Sequence, residues 1–168
     1  MFKHRKIDLG YNDLKTINEG GRKYLTPKGN YPSITTLLGN LSKEAIQAWR
    51  DRVGHEEANK ISRQAAGRGT AVHAMCELYV NNDPDYNRDV MPNIEHDFNR
   101  IKNILDTRIG LVYGQEVPLY SDHLGVAGRV DLVAEFDGKL SIIDYKTSKK
   151  TKKHEWCHSY FMQECFYA

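Results

Sequence analysis

The sequence predicts a mixed α/β (α+β) fold, and three observations carry that expectation. Two apolar, β-branched runs flank Asp137-Gly138, a dipeptide suited to a two-residue type I′ turn, so residues 125–147 read as a β-hairpin. Ile94, Phe98, Ile101 and Leu105 recur at helical spacing. The elements run as helices, then three antiparallel strands, then a helix, the order of an α+β or mixed α/β chain.

From the start, residues 1–21 are polar and weakly patterned and are expected to form a loose arm. Arg22 to Thr26 suit a short strand, and Pro27-Lys28-Gly29-Asn30 is turn chemistry. Ser33 is the expected N-cap of a short helix with Ile34, Leu37 and Leu38 on its apolar face. Ser42 is the expected cap of a second, with Ala45, Ile46 and Trp49 on one side. Glu56 to Val80 reads as a longer helical region interrupted near Gly67-Arg68-Gly69-Thr70. A polar loop runs from Asn81 to Pro92, and Gly110 is expected to end the helix that follows. Residues 111–120 read as the strand before the hairpin. A final helix begins near Glu155, placing Trp156, Tyr160, Gln163 and Tyr167 on one stripe.

At 168 residues the chain is long enough for one core, expected as a single domain over 22–168. Its last residues carry no helix stop signal, so the domain is expected to be incomplete at its C-terminus. The net charge of +2 is too small to imply a nucleic-acid partner by itself. No apolar run approaches the roughly 18–20 residues that cross a bilayer, and no signal core follows the basic start. A cytoplasmic protein without membrane contact is the expectation. Cys76, Cys157 and Cys165 form no CxxC pair and no zinc spacing, which suits reduced thiols.

The hairpin carries the chemistry. A type I′ turn at Asp137-Gly138 pairs Phe136 with Lys139, and each outward step then moves one residue along both strands. Asp131 falls opposite Asp144, and Lys146 projects from the same face. Facing carboxylates repel, and a divalent cation between them would remove the conflict. Lys146 beside that ion could orient a water or steady charge on a phosphoryl oxygen. Taken alone, the two strands also fit a solvent-facing hairpin with ordinary surface charges.

Four further features bear on that choice. Glu116 lies on the preceding strand, within reach of the acidic pair if that strand joins the hairpin. His73 shares a helix face with Glu77, just after glycines that admit a close backbone or phosphate. Gln163, an amide inside an aromatic stripe, needs a partner, and with Tyr167 could aim a polar tip at the hairpin or a substrate. Lys146 to Lys153 holds five lysines and no acid; such a run, which includes Lys149 and Lys150, is a solvated loop or a phosphate-backbone contact.

Four motifs in order give a resemblance: Gly69-Thr70-Ala71-Val72-His73, Gly128-Arg129-Val130-Asp131, Asp144-Tyr145-Lys146-Thr147 and Gln163-Glu164-Cys165-Phe166-Tyr167. Together they resemble the PD-(D/E)XK nuclease superfamily, in particular its RecB-like exonuclease branch. Tyr31 to Leu38 looks like the version in mitochondrial genome maintenance exonucleases and related phage exonucleases. The resemblance spans about residues 22–168 and implies a restriction-endonuclease-like core: a central mixed sheet with an antiparallel active-site hairpin, flanked by helices. It implies Asp131 and Asp144 as metal-binding carboxylates, Lys146 as the catalytic lysine and His73 as a further metal or phosphate contact. Gln163 and Tyr167 would support the site or touch DNA, and Glu116 matches an acidic position of the preceding strand.

The implied reaction is Mg²⁺- or Mn²⁺-dependent hydrolysis of phosphodiester bonds, by an exonuclease acting on single-stranded DNA or DNA ends. Replication, recombination and repair are all open as its setting. The alternatives are a nucleic-acid-binding module of the same fold, inactive alone or needing a partner, and a phosphohydrolase of free nucleotides. Some relatives hold an iron–sulfur cluster on four cysteines; the three here do not match that arrangement, so no cluster is expected.

Overall fold

The computed structural model describes residues 1–5, 7, 13–18 and 20–168. Its centre is a four-stranded sheet built on the hairpin. β5 (Ile109–Ser121), β6 (Val126–Phe136) and β7 (Lys139–Ile143) run antiparallel, and β1 (Lys3–His4) joins β5 in parallel. The sheet is therefore mixed. The turn is as the dipeptide requires: Asp137 and Gly138 both adopt positive φ, 51° and 76°. Phe136 pairs with Lys139 and the register runs without a slip to Leu132 opposite Ile143.

A second, antiparallel sheet holds β2 (Thr16–Asn18), β3 (Arg22–Thr26) and β4 (Gly29–Pro32). Ser33 then bridges to Ala127 of β6, which ties the small sheet to the large one. Residues 1–21, expected as a loose arm, thus contribute β1, β2 and the buried Leu14; the rest of that expectation falls on residues 6, 8–12 and 19, outside the described residues.

Helices cover both faces of the large sheet. α3 (His55–Val80) and α4 (Pro92–Arg108) bring Val72, Met75, Cys76, Val80, Ile94, Phe98 and Leu105 onto Val112, Leu132 and Ala134. Val133 points the other way, as alternation along a strand dictates, and packs with Tyr167, Ile34 and Phe166. Those last residues belong to α1 (Ile34–Leu41) and α5 (His158–Tyr167).

The structure corrects several local expectations. α3 is one continuous helix of 26 residues, with Gly67 and Gly69 inside it. Each glycine costs a helix only about 1 kcal/mol, and the buried stripe from Val72 to Val80 outweighs that. Gly110 does not end α4; the helix stops at Arg108, and Ile109 turns directly into β5. There the missing side chain lets Glu135 lie across the strand and accept the Leu111 N–H at 3.2 Å.

Ser33 caps α1 as expected, accepting the Thr36 N–H at 3.0 Å. Ser42 precedes α2 (Lys43–Val53) but makes no side-chain cap, and α2 buries none of its residues. Trp156 lies in a 3-10 turn (His154–Cys157) before α5 and is 59% exposed, so the aromatic stripe does not include it.

Candidate functional site

The end of the hairpin sets the site. The β6–β7 ladder stops at Leu132 and Ile143, one pair short of Asp131 and Asp144. Asp131 instead accepts the backbone N–H of Tyr145 through Oδ2 at 2.7 Å. The chain after Ile143 leaves the ladder because a side-chain carboxylate replaces the backbone carbonyl that a further pair would have offered.

β5 contributes Glu116. Gln115 pairs with Leu132 and Val117 with Val130, which sets Glu116 opposite Asp131. Glu116 takes φ 51°, a left-handed conformation that costs a non-glycine residue on the order of 1 kcal/mol or more. The pleat is disturbed at the same level: Val130 joins the cluster around Tyr167, while Leu132 joins the one beneath α3. Burial pushes the Glu116 carboxyl above its ordinary range, and the nearby charges of Asp131 and Glu77 push the same way.

α3 contributes His73. Its Nδ1 stands 3.3 Å from Asp131 Oδ2, and its ring meets Tyr145 edge-on at 5.6 Å between centroids. The hydrogen bond with Asp131 raises the imidazole above its usual value, against the lowering effect of burial. Val72, Met75 and Cys76 anchor the adjoining face of the helix in the core, which fixes the position of His73 beside the sheet.

α5 contributes Gln163 and Tyr167, one turn apart and both buried. Gln163 donates through Nε2 to Asp144 Oδ1 at 2.7 Å. Tyr167 lies against Gly128, where a Cβ would stand 2.5 Å from ring carbon Cε1 and 2.7 Å from the hydroxyl. Burial pushes the Tyr167 hydroxyl up to about 12, although Gln163 and the Arg129 backbone work the other way.

Lys146 pairs with Asp144 Oδ2. That oxygen is buried, so the Lys146 ammonium is the group that meets it. Burial lowers the Lys146 ammonium from its ordinary value, against the opposing pull of Asp131 and Glu164. Its Nζ also lies 5.4 Å from the centre of the Tyr160 ring.

Asp131, Asp144, Lys146, His73, Glu116, Gln163 and Tyr167 thus all line one cavity of about 700 Å³. Lys149 and Lys150 do not; they line a separate cleft. Three residues gain a place here that sequence reasoning gave no role: Tyr145 through its N–H, Tyr160 beneath Lys146, and Glu164 beside Lys146. Tyr145 stood inside the Asp144-Tyr145-Lys146 motif, but nothing in its side chain signalled a backbone role.

Among the described residues, no group of three or more His, Cys, Asp or Glu side chains is arranged to hold a metal ion. The donor chemistry nevertheless suits a hard divalent cation. Asp131 and Asp144 lie just past the last pair of the β6–β7 ladder, and the His73 imidazole stands beside Asp131.

No curated protein matches the chain. Among the described residues no helix is long and apolar enough to cross a membrane. A sequence model of the PD-(D/E)XK nuclease superfamily matches residues 93–168, the part that holds α4, the hairpin, Lys146 and α5. The match covers less than half of the chain, and that part is similar to the PD-(D/E)XK nuclease superfamily, whose nucleases act on nucleic acid and generally use divalent metals.

Proposed function

We propose that this protein is a Mg²⁺- or Mn²⁺-dependent deoxyribonuclease of the RecB-like branch, an exonuclease on single-stranded DNA or DNA ends. The observation that carries the reading is the meeting of Asp131, Asp144 and Lys146 at the open end of the hairpin, in one cavity with His73 and Gln163. Asp131 and Asp144 would hold the ion, with His73 and Glu116 beside them. A bound divalent ion supplies a nucleophilic water at neutral pH and counter-charge for the phosphoryl oxygens.

The chain's own groups do the rest. The Tyr145 N–H and His73 fix the Asp131 carboxylate, and Gln163 fixes that of Asp144. Lys146 sets a positive charge where negative charge grows on the phosphoryl and leaving oxygens. In the hydrolysis, a water oxygen bonds to phosphorus, the bond from phosphorus to the leaving ester oxygen breaks, and that oxygen takes up a proton. Lys149 and Lys150 would bind backbone phosphates.

The test uses linear and circular single-stranded DNA, end-labelled where an end exists, with Mg²⁺ or Mn²⁺. Linear DNA should be degraded and circular DNA spared. Asp144→Ala and Lys146→Ala should each lower the rate by about 100-fold or more, the scale of removing one preorganised charge-stabilising group. Cleavage that survives both substitutions would exclude this site, and equal cutting of the circle would exclude the exonuclease mode.

A further inference from the structure

A second cleft, of about 540 Å³, lies between α4 and the loop that follows Lys146. It meets the first cavity at Lys146, the one residue among those described that lines both. One of its walls is basic: Arg100, Lys149, Lys150 and Lys152. Arg68 also lines it, but Arg68 Nη2 donates to Asp97 Oδ1 at 2.7 Å and its Nε to the other oxygen, so that pair is internally neutral. Arg100, Lys149 and Lys150 have no carboxylate partner among the described residues.

The cleft also has an apolar side. Ile101 and Ile104 of α4 line it, and Ile104 is 45% exposed. Tyr160 lines it too, with the Lys152 ammonium 4.5 Å and the Lys146 ammonium 5.4 Å from its ring centre. A solvated lysine loop would explain the charges but not an aromatic ring and two isoleucines set among them.

We propose that this cleft is the groove for a single strand of nucleic acid on one side of the bond to be cut. The strand's phosphates lie along Arg100, Lys149 and Lys150, and its unpaired bases lie over Tyr160, Ile101 and Ile104. The combination of a cationic track with an aromatic and apolar platform is what binds unpaired strands without sequence preference. A duplex fits less well, because its paired and stacked bases cannot reach the apolar floor and only its phosphates would be engaged. Lys146, at the junction, places the scissile phosphate between the two cavities. This deepens the nuclease reading and rests on it for the meaning of the junction; the binding itself does not need catalysis.

The experiment therefore measures binding without metal. Fluorescence anisotropy of a labelled oligothymidylate and of a hairpin duplex is followed in EDTA across a salt series. Single-strand affinity falls with salt by a log–log slope of about 0.7 per phosphate contact. Lys149→Ala with Lys150→Ala should flatten that slope by about 1.4 and weaken binding about 25-fold at 0.1 M salt, from the same relation taken to 1 M. Ile104→Glu, at an exposed position, should weaken single-strand binding while leaving duplex binding within twofold. Circular dichroism confirms that both variants fold.

Unchanged single-strand affinity in both variants overturns the groove. So does an equal loss for duplex in Ile104→Glu, which would mean a charge effect without base contact. If these binding losses appear but the wild-type protein cleaves no DNA with any divalent metal, the nuclease reading fails and the groove stands.

Discussion

Gly128→Ala tests how α5 is docked on the sheet. Gly128 lies in β6 with no positive φ, so alanine is conformationally acceptable there. With free space, that change would stabilise the fold by about 0.4–1 kcal/mol by restricting the unfolded chain. Space is what the site lacks. The new Cβ would stand 2.5 Å from Tyr167 Cε1, 2.7 Å from its hydroxyl and 3.0 Å from Cζ. These atoms belong to a planar ring packed with Val130 and Val133, so no flexible end can swing away. Overpacking of this kind costs about 1–3 kcal/mol. Taking the upper half and subtracting the entropic gain leaves a net loss of about 2 kcal/mol, or about 4–8 °C in Tm for a chain of this size. Urea or thermal unfolding reads the loss directly. The double variant with Tyr167→Ala should cost at least about 1 kcal/mol less than the sum of the singles, because the ring that causes the clash is gone. A Gly128→Ala protein that melts at or above wild type, or a double variant that is additive, refutes the steric account.

Two further predictions follow from packing and charge. Burial pushes the Cys76 thiol up to about 12 and leaves none of it exposed, while Cys157 and Cys165 reach solvent; a thiol reagent at pH 8 should therefore titrate two thiols in the native protein and the third only in denaturant. Arg108 holds the Asp137 carboxyl below its ordinary value, so the pair's stabilisation is present above the unfolded carboxyl value of about 3.9 and is lost as pH falls through the lower folded value; Arg108→Ala should return Asp137 to ordinary titration, read by NMR of its carboxyl carbon.

What the sequence made legible was mostly local. Asp137-Gly138 needs two residues at positive φ, and that need fixed the register from Phe136–Lys139 to Leu132–Ile143. Ser33 was readable for the same reason, since its cap reaches only to Thr36. Extending the ladder one more pair, to Asp131 and Asp144, fails because a tertiary choice intervenes: the Asp131 side chain takes the Tyr145 N–H. The break assigned to Gly67 and Gly69 fails in the same way. Local propensity argues for an interruption, but a stripe of residues buried against distant strands decides. The left-handed Glu116 left no mark in its neighbours, because its conformation answers the disturbed pairing opposite Asp131.

The two carboxylates at the hairpin's end are held by different parts of the molecule, and this makes them separately adjustable. Asp131 is fixed from α3 and the backbone, through His73 and the Tyr145 N–H. Asp144 is fixed from α5 through Gln163, and by Lys146 from the loop. Gln163 and Tyr167 are one turn apart on α5, so a clash at Gly128 that moves Tyr167 also moves the donor to Asp144. Gly128 also shares β6 with Asp131, whereas Gln163 touches Asp144 alone of the two carboxylates. Gln163→Ala should therefore disturb Asp144 and leave the His73–Asp131 contact in place. The histidine titration, followed by NMR, reads that contact: it stays elevated while the pair survives and falls toward its ordinary value only when Asp131 itself is released.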